Sequence, residues 1–277
     1  MSGPTTDAEL LVLEVADVRL EVRPIDGGRI SSLVVRGSEL LRGRAAGGGP
    51  ILWGSFPMVP FAGRVRNGRF RFAGRDVQLD RNHGPHAIHG TVFERGWRVD
   101  DPTTMSIDLG PGWPYAGRVL QRFTLRDDAL EVTLTLVADE PMPAALGWHP
   151  WFRRQLAGTA DRPAAPSPSV ELHFDAAWMY VRDADGLPTG ELVEPPPGPW
   201  DDCFTGLRSA PRLTWPGVLG LELTSSCDNW VVYSEPPDAV CVEPQTAPPD
   251  FMTVAPSTTV PGEPLVATMT WRWWRLD

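Results

Sequence analysis

Short runs in which apolar and polar residues alternate recur along the 277-residue chain. Side chains of a β-strand point to opposite faces in turn, so this period of two predicts strands with one face buried. The clearest runs are residues 18–22, 105–109, 130–136, 170–174 and 219–223. Apolar residues at helical spacing do not recur over three or more turns. This pattern limits the chain to an architecture built from many strands.

Turn residues support the same prediction, because 27 glycines and 30 prolines separate short runs. The sequence therefore predicts an all-β sandwich or barrel of antiparallel strands. Two proline-rich stretches, residues 161–169 and 194–200, are predicted to be loops, since proline lacks the N–H that a ladder needs. Residues 265–276 alternate and are rich in tryptophan, which predicts a closing strand. Without an internal repeat or a shift in composition, we expect a single domain over residues 1–277.

Charge and cysteine content restrict the partners. The net charge of −10 disfavours nucleic acid and anionic membranes, since both attract positive surfaces. Three cysteines without paired short spacing predict neither a disulfide framework nor a zinc site. Residues 1–9 show no export signal, and no stretch of about 18 apolar residues occurs. We therefore expect a reduced, cytoplasmic protein.

Three histidines, His83, His86 and His89, crowd into residues 82–90. They could be polar surface in a turn-rich loop, or one of them could face a cleft and take part in catalysis. The cluster alone lacks the cysteine or carboxylate partners and the defined spacing of a zinc or non-haem iron site.

His149 and Glu243 are the other titratable residues in apolar surroundings. Aromatic residues flank His149, and the proline that follows it favours an extended backbone. Glu243 lies in an apolar run, where burial would raise its pKa and make it a usable proton acceptor. Taken singly, each could equally be a core or strand-end residue. The same holds for Arg64 and for the pair Asp201 and Asp202, which singly would be surface charges.

Together these segments resemble the aldose 1-epimerase (galactose mutarotase) family, in the right order along nearly the whole chain. Six segments carry the resemblance: Gly27-Gly28-Arg29-Ile30, Gly63-Arg64-Val65, Ile88-His89-Gly90, His149-Pro150-Trp151-Phe152, Asp201-Asp202-Cys203-Phe204 and Glu243-Pro244-Gln245. The resemblance implies a large antiparallel β-sandwich of the galactose mutarotase type, called a supersandwich. It also implies that the chain interconverts the α and β anomers of a hexopyranose, without a metal or other cofactor.

The resemblance further assigns roles to particular residues. It implies Glu243 as the base, His149 as the acid, and His89 as a hydrogen-bond donor to the ring oxygen or a neighbouring hydroxyl. Arg64 and Asp201 would hold sugar hydroxyls. The remaining implied sugar-site residues are Gln245, which would orient Glu243, and Trp148 or Trp151, which would stack on the sugar. The partner is then a small sugar, and the protein is a monomer or a homodimer.

Some positions depart from the family pattern, and alternatives stay open. Gly63 stands where many members have Asn, Trp151 where Tyr is usual, and Phe251 where Ala is common. A hexose-6-phosphate epimerase would need further arginines at the pocket rim, for which Arg66, Arg69 and Arg153 are candidates. A non-catalytic carbohydrate-binding protein would not need an acid opposite a base. A glycoside hydrolase generally uses two carboxylates rather than a carboxylate and a histidine.

Overall fold

A computed structural model describes residues 10–44, 48–156, 158 and 165–276. These residues form short strands almost throughout. The strands are β1 (Leu11–Val15), β2 (Val18–Arg23), β3 (Arg29–Val35), β4 (Ser38–Glu39), β5 (Ser55–Met58), β6 (Arg64–Val65), β7 (Arg69–Phe72), β8 (Arg75–Gln78), β9 (Ala87–Ile88), β10 (Arg98–Asp101), β11 (Thr104–Asp108), β12 (Gly117–Leu125), β13 (Ala129–Ala138), β14 (Met142–Pro143), β15 (Gly147–Arg153), β16 (Glu171–His173), β17 (Ala176–Arg182), β18 (Pro188–Val193), β19 (Asp201–Leu207), β20 (Arg212–Trp215), β21 (Leu219–Ser225), β22 (Asn229–Tyr233), β23 (Ala239–Gln245), β24 (Thr258–Thr259) and β25 (Leu265–Arg275). Helical structure in this part of the chain is limited to the 3₁₀ turns Pro24–Asp26 and Arg66–Gly68 and the short helix α1 (Phe251–Val254).

Two large antiparallel sheets hold most of these strands. The first sheet has the order β1-β2-β3-β5-β15-β23-β22-β19-β17-β18, with β4 paired to β3. The second has the order β10-β11-β12-β13-β25-β21-β20-β16. The five alternating runs in the sequence overlap β2, β11, β13, β16 and β21, as predicted, although β16 covers only residues 171–173 of the run 170–174. The all-β sandwich expected from the sequence is therefore confirmed.

The main core lies between the two sheets, where their apolar faces meet. Leu20 and Leu33 from the first sheet and Leu134 and Leu221 from the second are fully buried in one cluster. A ring contact crosses the layers, with Phe152 of β15 lying 5.0 Å from Trp271 of β25. This packing buries one face of β15 in the core between the sheets, so the opposite face of that strand points away from this core.

The predicted closing strand forms as β25, which pairs with β13 on one side and β21 on the other. Its tryptophans follow the alternation, because Trp271 and Trp273 are buried whereas Trp274 is partly exposed. Residues 194–200 are a loop, as predicted, and so are residues 165–169. Residues 161–164 of the other predicted loop, and the segment 1–9, lie outside the described residues. No helix in the described part of the chain is long and apolar enough to cross a membrane.

Candidate active site

His149 and Glu243 lie opposite each other on neighbouring strands in the middle of the first sheet. Strands β15 and β23 are antiparallel, and their register pairs Gly147 with Gln245 and Trp151 with Cys241. His149 and Glu243 stand midway between these two pairs, so their side chains share one face of the sheet. The imidazole Nε2 lies 3.4 Å from the Glu243 Oε1. Two residues far apart in the sequence are thus brought into direct contact.

A cavity of about 310 Å³ opens over this pair. The side chains that line it include seven of the residues singled out from the sequence, namely Arg64, His89, His149, Trp151, Asp201, Glu243 and Gln245. At the floor the chain is closely packed, since His149 is only 6% and Glu243 only 2% exposed. The volume falls at the lower end of the range of about 300–1,000 Å³ that is usual for small-molecule sites.

A tight loop places His89 and Arg64 over the floor. The short strands β6 and β9 pair Arg64 with Ile88, and the His89 amide donates to the Gly63 carbonyl at 2.9 Å. His89 itself has a left-handed backbone with φ of 62°, which is uncommon for a residue with a side chain. Its ring meets the His149 ring edge to face, with 5.0 Å between centroids. Strain at His89 therefore coincides with contact to the central pair.

The His149 ring is held in a stack of five groups. It lies between the rings of Phe56 and Trp151, with centroid distances of 4.9 and 5.2 Å. The Arg29 guanidinium covers the far side of Phe56 at 4.7 Å, and the Arg42 guanidinium covers Trp151 at 4.9 Å. Such stacking fixes the ring plane, so that Nε2 is directed at Glu243.

Burial shifts the pKa values of the pair towards neutral forms. The pKa of Glu243 is raised well above its ordinary value, chiefly by burial and further by Asp201, with Arg64 opposing. The pKa of His149 is lowered to about 3, chiefly by burial and then by the charge of Arg29. The pKa of His89 is also lowered well below its usual range, by burial and by His149 and Arg64. Burial therefore favours the proton on the Glu243 carboxyl group rather than on the His149 imidazole.

The acidic side chains of β19 stand at the cavity wall, paired with an arginine that sequence reasoning missed. Arg182 contacts Asp202 through Nε at 2.8 Å and Asp201 through Nη1 at 3.5 Å. Burial raises the pKa of Asp201, and Arg64 and Arg182 act in the opposite direction. Tyr233 and His83 also line the cavity. His83 belongs to the histidine cluster noted in the sequence, whereas nothing in the sequence around Arg182 or Tyr233 signals a site.

Two sequence-based assignments change. Trp148 does not line the cavity; it is fully buried on the opposite face of β15, where its Nε1 donates to Gln121 at 3.3 Å. Its predicted stacking on a sugar is therefore wrong, because alternation along a strand sends Trp148 and His149 to different sides. Gln245 does face the cavity, but neither of its amide atoms has a hydrogen-bond partner among the described residues. It therefore makes no hydrogen bond that would orient Glu243.

The arginines that would support a phosphorylated substrate lie elsewhere. Arg66 pairs with Asp183 at 2.6 Å, Arg69 donates to Gln78 at 2.6 Å, and Arg153 donates to the Leu41 carbonyl at 2.8 Å. None of the three lines the cavity.

Fold and site together define a double-sheet β-protein with a buried carboxyl–imidazole pair at the floor of a small cavity. Comparison with known proteins adds a family: residues 22–212 match the family model of aldose 1-epimerases, and the chain belongs to that family. It is similar to the uncharacterized protein YphB of Escherichia coli K12, with 27% identity over 223 residues, which cover 69% of this chain and 72% of that protein.

Solved structures share the fold. A galactose mutarotase-like protein from Clostridium acetobutylicum superposes with a TM-score of 0.81 at 16% identity, covering 96% of this chain and 95% of that one. A galactose 1-epimerase from Lactobacillus acidophilus gives a TM-score of 0.77 at 18% identity, with coverage of 96% and 94%. At these identities the likeness establishes the galactose mutarotase-like fold.

Proposed function

We propose that the protein is an aldose 1-epimerase that interconverts the α and β anomers of a neutral hexopyranose. The observation that carries this proposal is the 3.4 Å contact between His149 Nε2 and Glu243 Oε1 on the floor of a sugar-sized cavity. Opening a pyranose ring requires one group to remove the proton of the C1 hydroxyl and another to protonate the ring oxygen. Two adjacent proton carriers facing one cavity meet that requirement.

The pair needs to hold only one exchangeable proton throughout. In the resting pair the proton lies on Glu243, and its transfer to His149 across the 3.4 Å contact gives a carboxylate and an imidazolium. Ring opening from that state, with Glu243 taking the C1 hydroxyl proton and His149 protonating the ring oxygen, leaves a neutral carboxyl group beside a neutral imidazole. Rotation about the C1–C2 bond then presents the other carbonyl face, and the reverse transfers close the ring. Burial favours the neutral pair, which is the state that accompanies the open aldehyde. The site therefore stabilises the protonation state in which the open aldehyde forms.

Other cavity residues have roles that fit a polyhydroxylated ligand. Arg64 offers a fork of donors and Asp201 a two-oxygen acceptor for hydroxyl groups. His89 lies against His149 and can donate to the ring oxygen or a neighbouring hydroxyl. The unpartnered amide of Gln245 can hydrogen-bond to the same sugar.

Isosteric substitutions test the proposal. Glu243→Gln and His149→Asn each remove a proton carrier while keeping similar volume, so each should lower turnover by about 10²–10⁴-fold. Polarimetry on freshly dissolved α-glucose or α-galactose measures the rate against the spontaneous reaction. Glu171→Gln, which changes an exposed carboxylate of β16, is the matched control and should keep the wild-type rate. A near-normal rate in either site variant would reject the assignment.

The position of the candidate arginines supports a neutral sugar over its 6-phosphate. Arg66, Arg69 and Arg153 lie outside the cavity, and the arginines that line it among the described residues, Arg64 and Arg182, both act on the Asp201 carboxylate. Mutarotation rates over a panel of aldoses and their 6-phosphates should therefore be higher for the neutral sugars. Faster turnover of the phosphates would contradict this substrate class.

A further inference from the structure

Three metal-binding side chains converge beside the cavity floor. His149, Cys241 and Glu243 each present one ligand atom, these atoms all lie within 4.8 Å of one another, and all three residues are buried. The arrangement follows from the sheet, because Cys241 and Glu243 are two residues apart on β23 and His149 stands opposite Glu243 on β15. Imidazole, thiolate and carboxylate are the donors that zinc takes in proteins.

The spacing is close to that of a tetrahedral zinc site. Zinc lies about 2.0–2.2 Å from nitrogen and oxygen and about 2.3 Å from sulfur, so neighbouring ligands of a tetrahedron stand about 3.3–3.6 Å apart. The Nε2–Oε1 distance of 3.4 Å already meets this requirement. The thiol lies within 4.8 Å of the other two ligand atoms, so it would have to approach them by about 1.2 Å at most to reach this spacing.

Charge balance favours a divalent cation at this position. Coordination by the thiolate and the carboxylate offsets both positive charges of the ion, which gives a neutral centre in a buried environment. Binding releases two protons, one from the Cys241 thiol and one from the His149–Glu243 pair. His149 and Glu243 line the cavity, so the fourth coordination position faces the space that a sugar would occupy.

The surroundings of His149 indicate a reversible site rather than a structural one. The second ring nitrogen of a zinc-bound histidine usually donates to a carboxylate, a carbonyl or water, and loss of that partner typically weakens metal binding 10–100-fold. The Nδ1 of His149 is buried without a hydrogen-bond partner among the described residues. The ion would thus be held by three ligands without this outer support.

We propose that His149, Cys241 and Glu243 form an inhibitory site for zinc or another thiophilic divalent cation, and that the ion and the sugar exclude each other. The metal-binding part of this proposal does not depend on the proposed function. The exclusion follows because the ion would occupy both proton carriers and the floor of the cavity. Zinc would then lower activity by occupying the ligand-free protein.

Direct binding is the first test, on untagged protein treated with a chelator and then titrated calorimetrically with zinc alone. The expected result is one zinc ion per wild-type chain and at least about tenfold weaker binding by Cys241→Ala. Cys227→Ala, which removes another buried thiol outside the cavity, is the matched control and should bind as the wild type does. Cobalt in place of zinc should give a thiolate-to-metal charge-transfer band in the wild type and in Cys227→Ala but not in Cys241→Ala.

Competition is the second test. Apparent zinc affinity should fall as α-galactose or α-glucose is added to the calorimeter cell, and zinc should inhibit mutarotation competitively and reversibly on addition of a chelator. Each variant is compared with its own uninhibited rate. Equal zinc binding by wild type and Cys241→Ala, or zinc binding unaffected by saturating sugar, would overturn the proposal. An inactive protein that still binds zinc through Cys241 would refute the proposed function and leave the metal site standing.

Discussion

Replacing one member of the His149–Glu243 pair at a time should give two opposite pH dependences of stability. In the folded protein the pKa of Glu243 is raised well above 4.5 and that of His149 is lowered from 6.5 to about 3. At pH values above the lowered pKa of His149 and below the raised pKa of Glu243, the folded pair therefore holds one proton, on Glu243. Between about pH 4.5 and pH 6.5 the unfolded pair also holds one proton, on His149. Where these two ranges overlap, the proton counts match and the pair contributes little pH dependence to wild-type stability.

Each substitution removes one half of this balance. In Glu243→Gln, His149 takes up a proton below about pH 6.5 only when unfolded, so stability falls as the pH falls. With a limiting slope of about 1.4 kcal/mol per pH unit, the free energy of unfolding drops by about 1.5 kcal/mol between pH 6.5 and pH 5, relative to wild type. In His149→Asn, the raised pKa of folded Glu243 lets this residue keep its proton at pH values at which unfolded Glu243, with a pKa of about 4.5, has lost it. The stability of this variant therefore rises as the pH falls towards 4.5.

Urea unfolding at about pH 5 and pH 6.5, at constant ionic strength, measures both differences against the wild type. Glu171→Gln serves as the control, since its exposed carboxylate has no buried partner. If the free energy of unfolding changed with pH in the same direction in both site variants, the view that burial holds this pair neutral would be refuted.

Three further predictions concern the frame of the site. Gly90→Ala should destabilise the fold by about 1–3 kcal/mol and lower activity, because φ is +83° and an added Cβ would overlap the Val59 carbonyl beside His89. Gly74 has a similar φ of +81°, but an added Cβ there would meet open space, so Gly74→Ala should lower the stability measured by thermal denaturation by less than Gly90→Ala does. Equal losses of stability in the two variants would show that the overlap with Val59 has no effect. Trp148→Phe removes the hydrogen bond to Gln121, so urea denaturation should show a free energy of unfolding lower by about 1–3 kcal/mol, while turnover stays close to that of the wild type. A large loss of turnover would indicate that Trp148 does contribute to the site. Arg182→Met removes the ion pairs that hold Asp201 and Asp202 at the cavity wall, so KM should rise about tenfold, equivalent to about 1.4 kcal/mol, with a smaller effect on kcat in a polarimetric assay. An unchanged KM would show that these ion pairs do not support sugar binding.

The strands and most of the site could be predicted from the sequence. Alternation over residues 18–22 and 130–136 marks β2 and β13 directly, because one face of each strand is buried. The motifs around His149 and Glu243 identified the two residues that meet on the cavity floor. Strand parity could also have separated Trp148 from Trp151, since only Trp151 is an even number of residues from His149.

Other features depend on long-range packing, which the local sequence does not encode. Arg182 ends a half-exposed strand, and only the pairing of β17 with β19 brings it to Asp201 and Asp202. The loss of charge on His149 follows from its depth and from Arg29 behind Phe56. Neither the depth nor that neighbour is visible in the residues adjoining His149.

The location of β25 inside the second sheet has a consequence for how this layer resists aggregation. Its ladders to β13 and β21 join the two halves of the layer, so both neighbours have an open edge whenever β25 is not docked between them. A substitution that loosens β25 would therefore expose two unpaired strand edges to other polypeptides, and not only weaken the core.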